Sequence, residues 1–220
     1  NFENKNDIDG KITGTTATNN GVLGINANNL DVDLINNGTL NLGSGNTVKK
    51  ITGSGSTNIL DVVTNNAEIS QNVNVSNSGK LTVSANIGNL INSGEVTSNT
   101  SNLTGTINNS GILNLSGTLD KTISGNGTTK VNGILNLSPS TTIDGILDMN
   151  NGTISTSDLS YSKNDIATIN GTGDAIIDVD WANSKADSFN STSGNGVLNL
   201  KLNETSTENI WDTKTIQITN

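Results

Sequence analysis

The sequence contains no cysteine, no histidine and no arginine, and each absence removes a class of function. Without histidine or cysteine there is no imidazole general base, no thiol nucleophile and no zinc site built from these ligands. All 11 basic residues are lysines, and 20 acidic residues give a net charge of −9. Because a basic surface is needed to attract phosphate groups, we expect no nucleic-acid partner.

Aromatic residues, proline and long apolar runs are also scarce. Aromatic residues make up 2% of the chain, there is a single proline, and hydrophobic residues amount to 31%. No stretch approaches the roughly 18 apolar residues of a membrane helix, so we expect no membrane insertion. Disordered chains usually carry more charge than the 14% found here. Leu, Ile and Val instead form short clusters between polar segments, a pattern typical of many short strands.

A short sequence motif, here called the phrase, recurs along the chain. It begins with an Asn- or Ser-rich turn, the corner, and continues as a strand in which apolar and polar residues alternate. Its clearest copies are NNGTLNL (36–42), NSGKLTV (77–83), NSGILNL (109–115) and GNGVLNL (194–200). Successive pivotal glycines lie about 15–22 residues apart, which indicates irregular repeats. We interpret these glycines, such as Gly38 and Gly111, as corners with positive φ, followed by a half-buried strand of period two.

These repeats predict an all-β fold, a single-stranded parallel β-helix with rungs of about 15–22 residues, where a rung is one turn of the solenoid. Inward Leu, Ile and Val would stack in columns, and corner Asn side chains would form hydrogen-bonded ladders. Hairpins are less consistent with the sequence, because the run before each corner is often polar.

The prediction divides the chain into rungs over residues 1–160 and a terminal part over 161–220. Four of the five aromatic residues lie in the terminal part: Tyr161, Trp181, Phe189 and Trp211. This part is either a wider continuation of the solenoid or a module that covers its open end. We interpret the rings as core-filling residues rather than as a platform for carbohydrate.

The NNGTLNL and NSGILNL phrases and the segment 177–200 resemble the passenger domains of bacterial autotransporters and related repetitive surface adhesins. The resemblance implies a right-handed β-helix and a secreted or cell-surface location. The chain begins at Asn1 without an export signal and shows no membrane β-barrel, so we expect it to be a segment of a larger exported protein. Its partner would be an unknown surface ligand, such as a host or matrix glycan or protein.

Two pairs of aspartates are the most suggestive candidates for chemistry. Asp31 and Asp33 alternate with Leu and Val in LDVDL (30–34), and Asp178 and Asp180 lie in IDVDW (177–181). Residues i and i+2 share one strand face, so the pattern predicts that both pairs face solvent, roughly 6–7 Å apart within each pair. Such pairs can bind calcium or act as the acid and base of an inverting glycosidase, but we interpret them as a solvated, charged strand face that keeps the strand soluble and unpaired.

Other motifs give weaker signals. The segment TGTTAT (13–18) suggests an ice-binding hydroxyl surface, yet the repeats are too irregular for one. Asn-x-Ser/Thr sequences, such as those at Asn37 and Asn126, are expected by chance in a chain with about 40 asparagines. No phosphate-binding loop is present. We therefore assign no catalytic, cofactor or metal site.

These observations favour a non-catalytic scaffold or adhesin segment that is a monomeric rod. The alternatives are a β-helix enzyme acting on polysaccharides and a trimeric, tailspike-like fibre. An enzyme of that kind generally relies on Arg, His or clustered acids, and this chain has neither Arg nor His.

Overall fold

The computed structural model describes residues 1–46, 48–156, 161 and 163–205. Within them the fold is all-β, and parallel strands stack as a β-solenoid of about ten rungs. Two short 3-10 helices, η1 Ala27–Asn29 and η2 Thr100–Asn102, are the only helical segments there, and no helix could cross a membrane. The predicted fold class is confirmed.

The chain forms two compact units, Asn1–Asn114 and Leu115–Asn220. The strands up to residue 109 are β1 Lys5–Ile8, β2 Ile12–Asn19, β3 Val22–Asn26, β4 Leu30–Asn36, β5 Thr39–Gly43, β6 Ile51–Thr52, β7 Ser56–Ile59, β8 Val62–Asn65, β9 Asn72–Val75, β10 Lys80–Val83, β11 Leu90–Asn92, β12 Glu95–Asn99 and β13 Ile107–Asn109. The strands that follow are β14 Ile112–Leu119, which contains the division, β15 Ile123–Ser124, β16 Thr128–Leu137, β17 Thr142–Asp148, β18 Thr153–Ser155, β19 Lys163–Asn170, β20 Thr172–Asp180, β21 Lys185–Ala186, β22 Ser188–Ser193 and β23 Val197–Glu204.

In the first unit each rung passes through three parallel stacks. One contains β1, β3, β5, β7, β9, β11 and β13, the second β8, β10 and β12, and the third β2, β4 and β6. Single bridges at Ile69, Ile87 and Leu103 extend the third stack. Side-chain hydrogen bonds join neighbouring rungs. Asn19 bonds to Asn36, 17 residues later, and Asn74 bonds to Asn58, 16 residues earlier, so these rungs are of nearly equal length.

Apolar columns fill the interior of the first unit, as the alternation predicted. Register pairing joins the inward residues of one stack from rung to rung: Leu23, Leu40, Thr57, Val73, Leu90 and Ile107. A second column contains Leu34, Ile51, Ile69, Ile87 and Leu103. All of these residues are buried, so each rung stabilises its neighbours mainly through apolar contact.

The prediction that the pivotal glycines have positive φ is wrong for Gly38, Gly111 and all the others except Gly133, the pivotal glycine of the copy VNGILNL (131–137). Their role is close approach. A Cβ on Gly38 would lie 2.0 Å from the carbonyl oxygen of Gly21, and one on Gly94 would lie 2.2 Å from that of Gly79. The glycines therefore stack on one another, because a side chain would separate successive rungs at the corner.

The second unit has longer rungs towards its end. Thr128 pairs with Ile146, whereas Lys163 pairs with Ser188, which lies much further along the chain. Asp165 and Asn190 are hydrogen-bonded on adjacent rungs although they are 25 residues apart, so the predicted upper limit of rung length is wrong for this part.

A hairpin is one source of the extra length. Strand β21 pairs antiparallel with the end of β20, so the chain reverses direction inside one long rung. The expected boundary at 160 lies next to residues outside the described ones, and an end-covering role for 161–220 remains a prediction.

The aromatic residues of the second unit occupy different environments. Phe189 is buried, as expected for core filling. Trp181 and Tyr161 are half-buried, and the Tyr161 hydroxyl lies 2.6 Å from the Thr205 hydroxyl. The prediction for Trp211 falls outside the described residues.

Candidate binding surface

A ladder of buried amide side chains runs along one inner corner of the first unit. Asn19 Nδ2 donates to Asn36 Oδ1 at 2.7 Å, and Asn36 Nδ2 donates to Gln71 Oε1 at 2.6 Å. Thr57 also donates to Gln71 Oε1, at 3.2 Å, and Gln71 Nε2 donates to the Thr52 carbonyl at 3.1 Å. The predicted Asn ladder is therefore present, with its polar groups satisfied inside the protein.

The same corner geometry recurs at Asn92 and Asn109. Asn92 Nδ2 donates to Asn109 Oδ1 at 2.8 Å and to the Ile112 carbonyl at 2.9 Å, and its Oδ1 accepts from the Gly94 N–H at 3.0 Å. Asn19 makes the equivalent bonds to Asn36, to the Thr39 carbonyl and from the Gly21 N–H. Asn19 and Asn92 thus each shape their own corner and bind the next rung.

A second set of ladders lies on the outside of the same unit. Asn58 Nδ2 donates to Asn41 Oδ1 at 2.8 Å, and Asn74 Nδ2 donates to Asn58 Oδ1 at 2.9 Å. A parallel ladder joins Asn89 Nδ2 to Asn72 Oδ1 at 2.9 Å. We call these five residues the amide face.

The amide face is an uncharged, regular surface. Asn58 both donates and accepts along its ladder, whereas the other four amides do one or the other, so each keeps at least one N–H for solvent or a ligand. Successive rungs repeat at about 4.8 Å, and neighbouring outward residues on one strand are roughly 6–7 Å apart. The surface can therefore form many weak hydrogen bonds to an extended polar molecule, and it carries no acid or base for catalysis.

Asp31 and Asp33 lie on the outside of β4, as predicted, whereas Leu30, Val32 and Leu34 are buried. Lys11 Nζ lies 2.7 Å from Asp31 Oδ2, and Lys49 Nζ lies 3.1 Å from Asp31 Oδ1.

The hydrogen bond from Lys11, supported by Lys49, holds the pKa of the Asp31 carboxyl below its usual range. A calcium ion at Asp31 would have to displace two ammonium groups, so we interpret Asp31 as part of an ion-paired strand face.

The prediction that Asp178 and Asp180 face solvent is wrong. Asp178 is fully buried and Asp180 is 9% exposed, although Ile177 and Val179 on the other face are also buried. Asp187 lies beside this part of β20, since its Oδ2 accepts from the Asp178 N–H at 2.8 Å and its own N–H donates to the Asp178 carbonyl at 3.0 Å. Because residues 177–180 are all buried, both faces of the strand are internal there.

Each of these carboxylates has a local structural role. Asn203 Nδ2 donates to Asp178 Oδ1 at 2.6 Å. The Asn183 side chain donates to Asp180 Oδ2 at 2.7 Å and its N–H donates to Oδ1 at 3.0 Å, and these bonds lower the pKa of Asp180. Asp180 thus closes the hairpin turn, in which Trp181 lies, and we assign it no catalytic role.

A cavity of about 340 Å³ lies in the second unit. Its walls are formed by Thr118, Asn136, Leu137, Ser138, Pro139, Ser155 and Thr156. These residues offer hydroxyl and amide groups and no carboxylate or amine, so they supply neither a general acid nor a general base. Over the described ranges, no group of three or more acidic residues could bind a metal ion.

The remaining sequence motifs do not form the surfaces they suggested. Thr13 and Thr16 on β2 pair with Asp31 and Asp33 on β4, with a register shift between them, so a flat threonine lattice is not formed. Asn37, in an Asn-Gly-Thr sequence, is exposed, but its amide donates to Asn20 Oδ1 at 3.0 Å.

Compared with family models, curated proteins and solved structures, the chain shows no significant match. The functional interpretation therefore depends on the geometry alone. Sequence reasoning missed Gln71, which lies outside the recurring phrase, and the outward amide face. The spacing of Asn41, Asn58 and Asn74, at intervals of 17 and 16 residues, was a signal that could have revealed this face.

Proposed function

We propose that the chain is a non-catalytic scaffold segment of a larger, repetitive protein that is exported to the cell surface. The observation that carries this proposal is the pair of buried amide ladders, which bind successive rungs through side chains as well as backbone. Such coupling suits a segment whose use depends on persistent shape and on repeated lateral surfaces. The amide face would supply weak polar contacts to a surface ligand.

The state of the carboxylates also supports a scaffold. Asp31 is engaged by two lysines, and Asp178 is buried with a hydrogen bond from Asn203. A glycosidase needs two carboxyl groups that both reach the substrate, one as acid and one as base or nucleophile. Neither pair proposed from the sequence offers that arrangement.

The location can be tested by labelling the source cells with antibodies raised against the chain. Labelling of intact cells, lost after brief external proteolysis, is the expected result. Labelling only after permeabilisation would overturn the surface assignment.

The oligomeric state can be tested by light scattering during size-exclusion chromatography. The measured mass should be that of one chain, whereas the mass of a trimer would favour the fibre alternative.

The absence of catalysis can be tested on a panel of polysaccharides. We expect no release of reducing or unsaturated ends by the chain. Turnover that disappears in Asp31→Asn or Asp178→Asn, with the fold retained by circular dichroism, would establish an enzyme instead.

A further inference from the structure

The chain contains seven Asn-Gly sequences, at Asn20, Asn37, Asn126, Asn132, Asn151, Asn170 and Asn195. In such a sequence the glycine nitrogen can attack the Asn side-chain carbonyl, because glycine has no Cβ to obstruct the approach. The reaction needs an Asn side chain that is free to turn towards its own backbone and a glycine N–H that base can reach. The seven Asn-Gly sequences differ in how far the structure meets these two requirements.

Hydrogen bonds to the two neighbouring rungs hold the Asn37 side chain. Its Nδ2 donates to Asn20 Oδ1 at 3.0 Å, and its Oδ1 lies 3.4 Å from the Ser54 N–H. The N–H of Gly38 donates to the Asn19 carbonyl at 3.2 Å, and Gly38 packs against the carbonyl of Gly21. Both reacting groups are therefore held away from each other.

Other copies are restrained at the glycine. The N–H groups of Gly21, Gly152 and Gly196 donate to the carbonyls of Phe2, Met149 and Ile169 respectively.

Two further copies are partly restrained. Gly127 is buried beneath the next rung, where a Cβ on Gly145 would lie 2.2 Å from the Gly127 carbonyl oxygen. The Asn170 side chain accepts from the Asn195 N–H at 3.3 Å.

The Asn132 side chain makes none of the hydrogen bonds that hold Asn37. It lies in β16 between the residues that pair with β17 (128–130) and those that pair with β18 (134–136), on a strand that also pairs with β14. Asn132, Gly133 and Ile134 are all exposed, and nothing lies within 4 Å of where a Cβ on Gly133 would be. Gly133 also has a φ of +83°, which places the corner in a conformation that favours glycine.

We propose that Asn132 is the principal site of spontaneous deamidation in this chain, and that side-chain hydrogen bonds to the neighbouring rungs protect Asn37. Base removes the Gly133 amide proton, and the nitrogen bonds to Asn132 Cγ. The bond from Cγ to the side-chain nitrogen then breaks, and ammonia leaves with the proton. Water opens the resulting succinimide at either carbonyl, which gives aspartate or isoaspartate, so the net charge becomes one unit more negative than −9.

The test is incubation of the full chain at mildly alkaline pH, followed by proteolysis and mass spectrometry of each Asn-Gly peptide. Isoaspartate is counted by enzymatic methylation. We expect conversion at Asn132 to be at least about tenfold faster than at Asn37, because conversion at Asn37 requires local opening of the corner. Asn132→Gln should abolish the fastest phase, whereas Asn37→Gln should leave it unchanged.

A parallel incubation in denaturant separates structural protection from the effect of neighbouring residues. There, Asn37 should convert at a rate close to that of Asn132, whose own rate should change little. Equal rates at the two sites in the folded chain, or a faster reaction at Asn126, would overturn the proposal. A tenfold difference that persists in denaturant would also overturn it, since the cause would then be local sequence.

Discussion

The two units use the same backbone pairing but couple their rungs through different side chains. In the first unit, rungs of nearly equal length bring amide beside amide, as in Asn19 and Asn36, which are 17 residues apart. In the last rungs of the second unit the separation is 25 residues, and Asn190 and Asn203 donate to Asp165 and Asp178.

The difference lies in the partners that meet between rungs: amide meets amide in the first unit, and amide meets carboxylate in the last, longer rungs of the second. Amide–amide bonds are independent of pH, whereas amide–carboxylate bonds require the ionised acid to accept fully. The units should therefore differ in what disrupts them.

The apolar columns are the feature that both units share, so breaking them should have the largest effect. Leu40→Asp in the first unit and Leu135→Asp in the second should each cost about 4 kcal/mol or more, because an unpaired carboxylate enters a buried column. Chemical denaturation measures the loss. Asn41→Asp, one residue away and directed outward, is the control. Comparable damage from Asn41→Asp would contradict the facing of β5.

The buried amide ladder distinguishes the first unit. Asn36→Ala removes the hydrogen-bond partner of both Asn19 and Gln71. Because these buried amides would then lack that partner, the free energy of unfolding should fall by about 2–4 kcal/mol. Asn37→Ala changes the adjacent exposed residue and should cost less than about 1 kcal/mol. If the two variants melt alike, the inner ladder contributes nothing to stability.

Stacked glycines set the spacing of rungs at the corners. Gly38→Ala should cost about 1–3 kcal/mol, since the new methyl group would meet the Gly21 carbonyl and push two rungs apart. Gly10→Ala, where nothing lies within 4 Å, is the control and should change stability by no more than about 0.5 kcal/mol. Thermal melting of the two variants measures both changes, and a neutral Gly38→Ala would show that the corner can relax.

The smallest expected effect is the pH dependence of the ion pair in the second unit. Lys201 lowers the pKa of Asp174 below the ordinary value of 3.8, so the pair stabilises the fold above that pH. This contribution is lost as the pH falls through the lowered pKa. Asp174→Asn should therefore reduce Tm at neutral pH and have a diminishing effect in acid. The effect of Asn36→Ala should not change with pH, and a parallel acid dependence of both variants would remove the distinction.

Features that depend on local alternation could be predicted from the sequence. The inward Leu residues, the solvent-facing Asp31 and the Asn corners all follow from period two and from a repeated phrase. The close approach at Gly38 could not be predicted, because it depends on the Gly21 carbonyl in the preceding rung. The surroundings of the buried Asp178 include the hairpin that brings Asp187 beside it, and no repeat in the sequence marks that return.

Gln71 has an evolutionary consequence. The buried ladder passes from Asn36 to Gln71 and skips the rung between them. In that rung Gly53 and Gly55, which have no side chains, lie against Asn36, and the long Gln71 side chain reaches Asn36 across the gap. A side chain at either glycine would occupy the place of the Asn36 amide or carbonyl. We therefore expect the effect of a substitution at position 53, 55 or 71 to depend on the residues at the other two. These positions should drift together among descendants of this chain, as compensating substitutions rather than as independent ones.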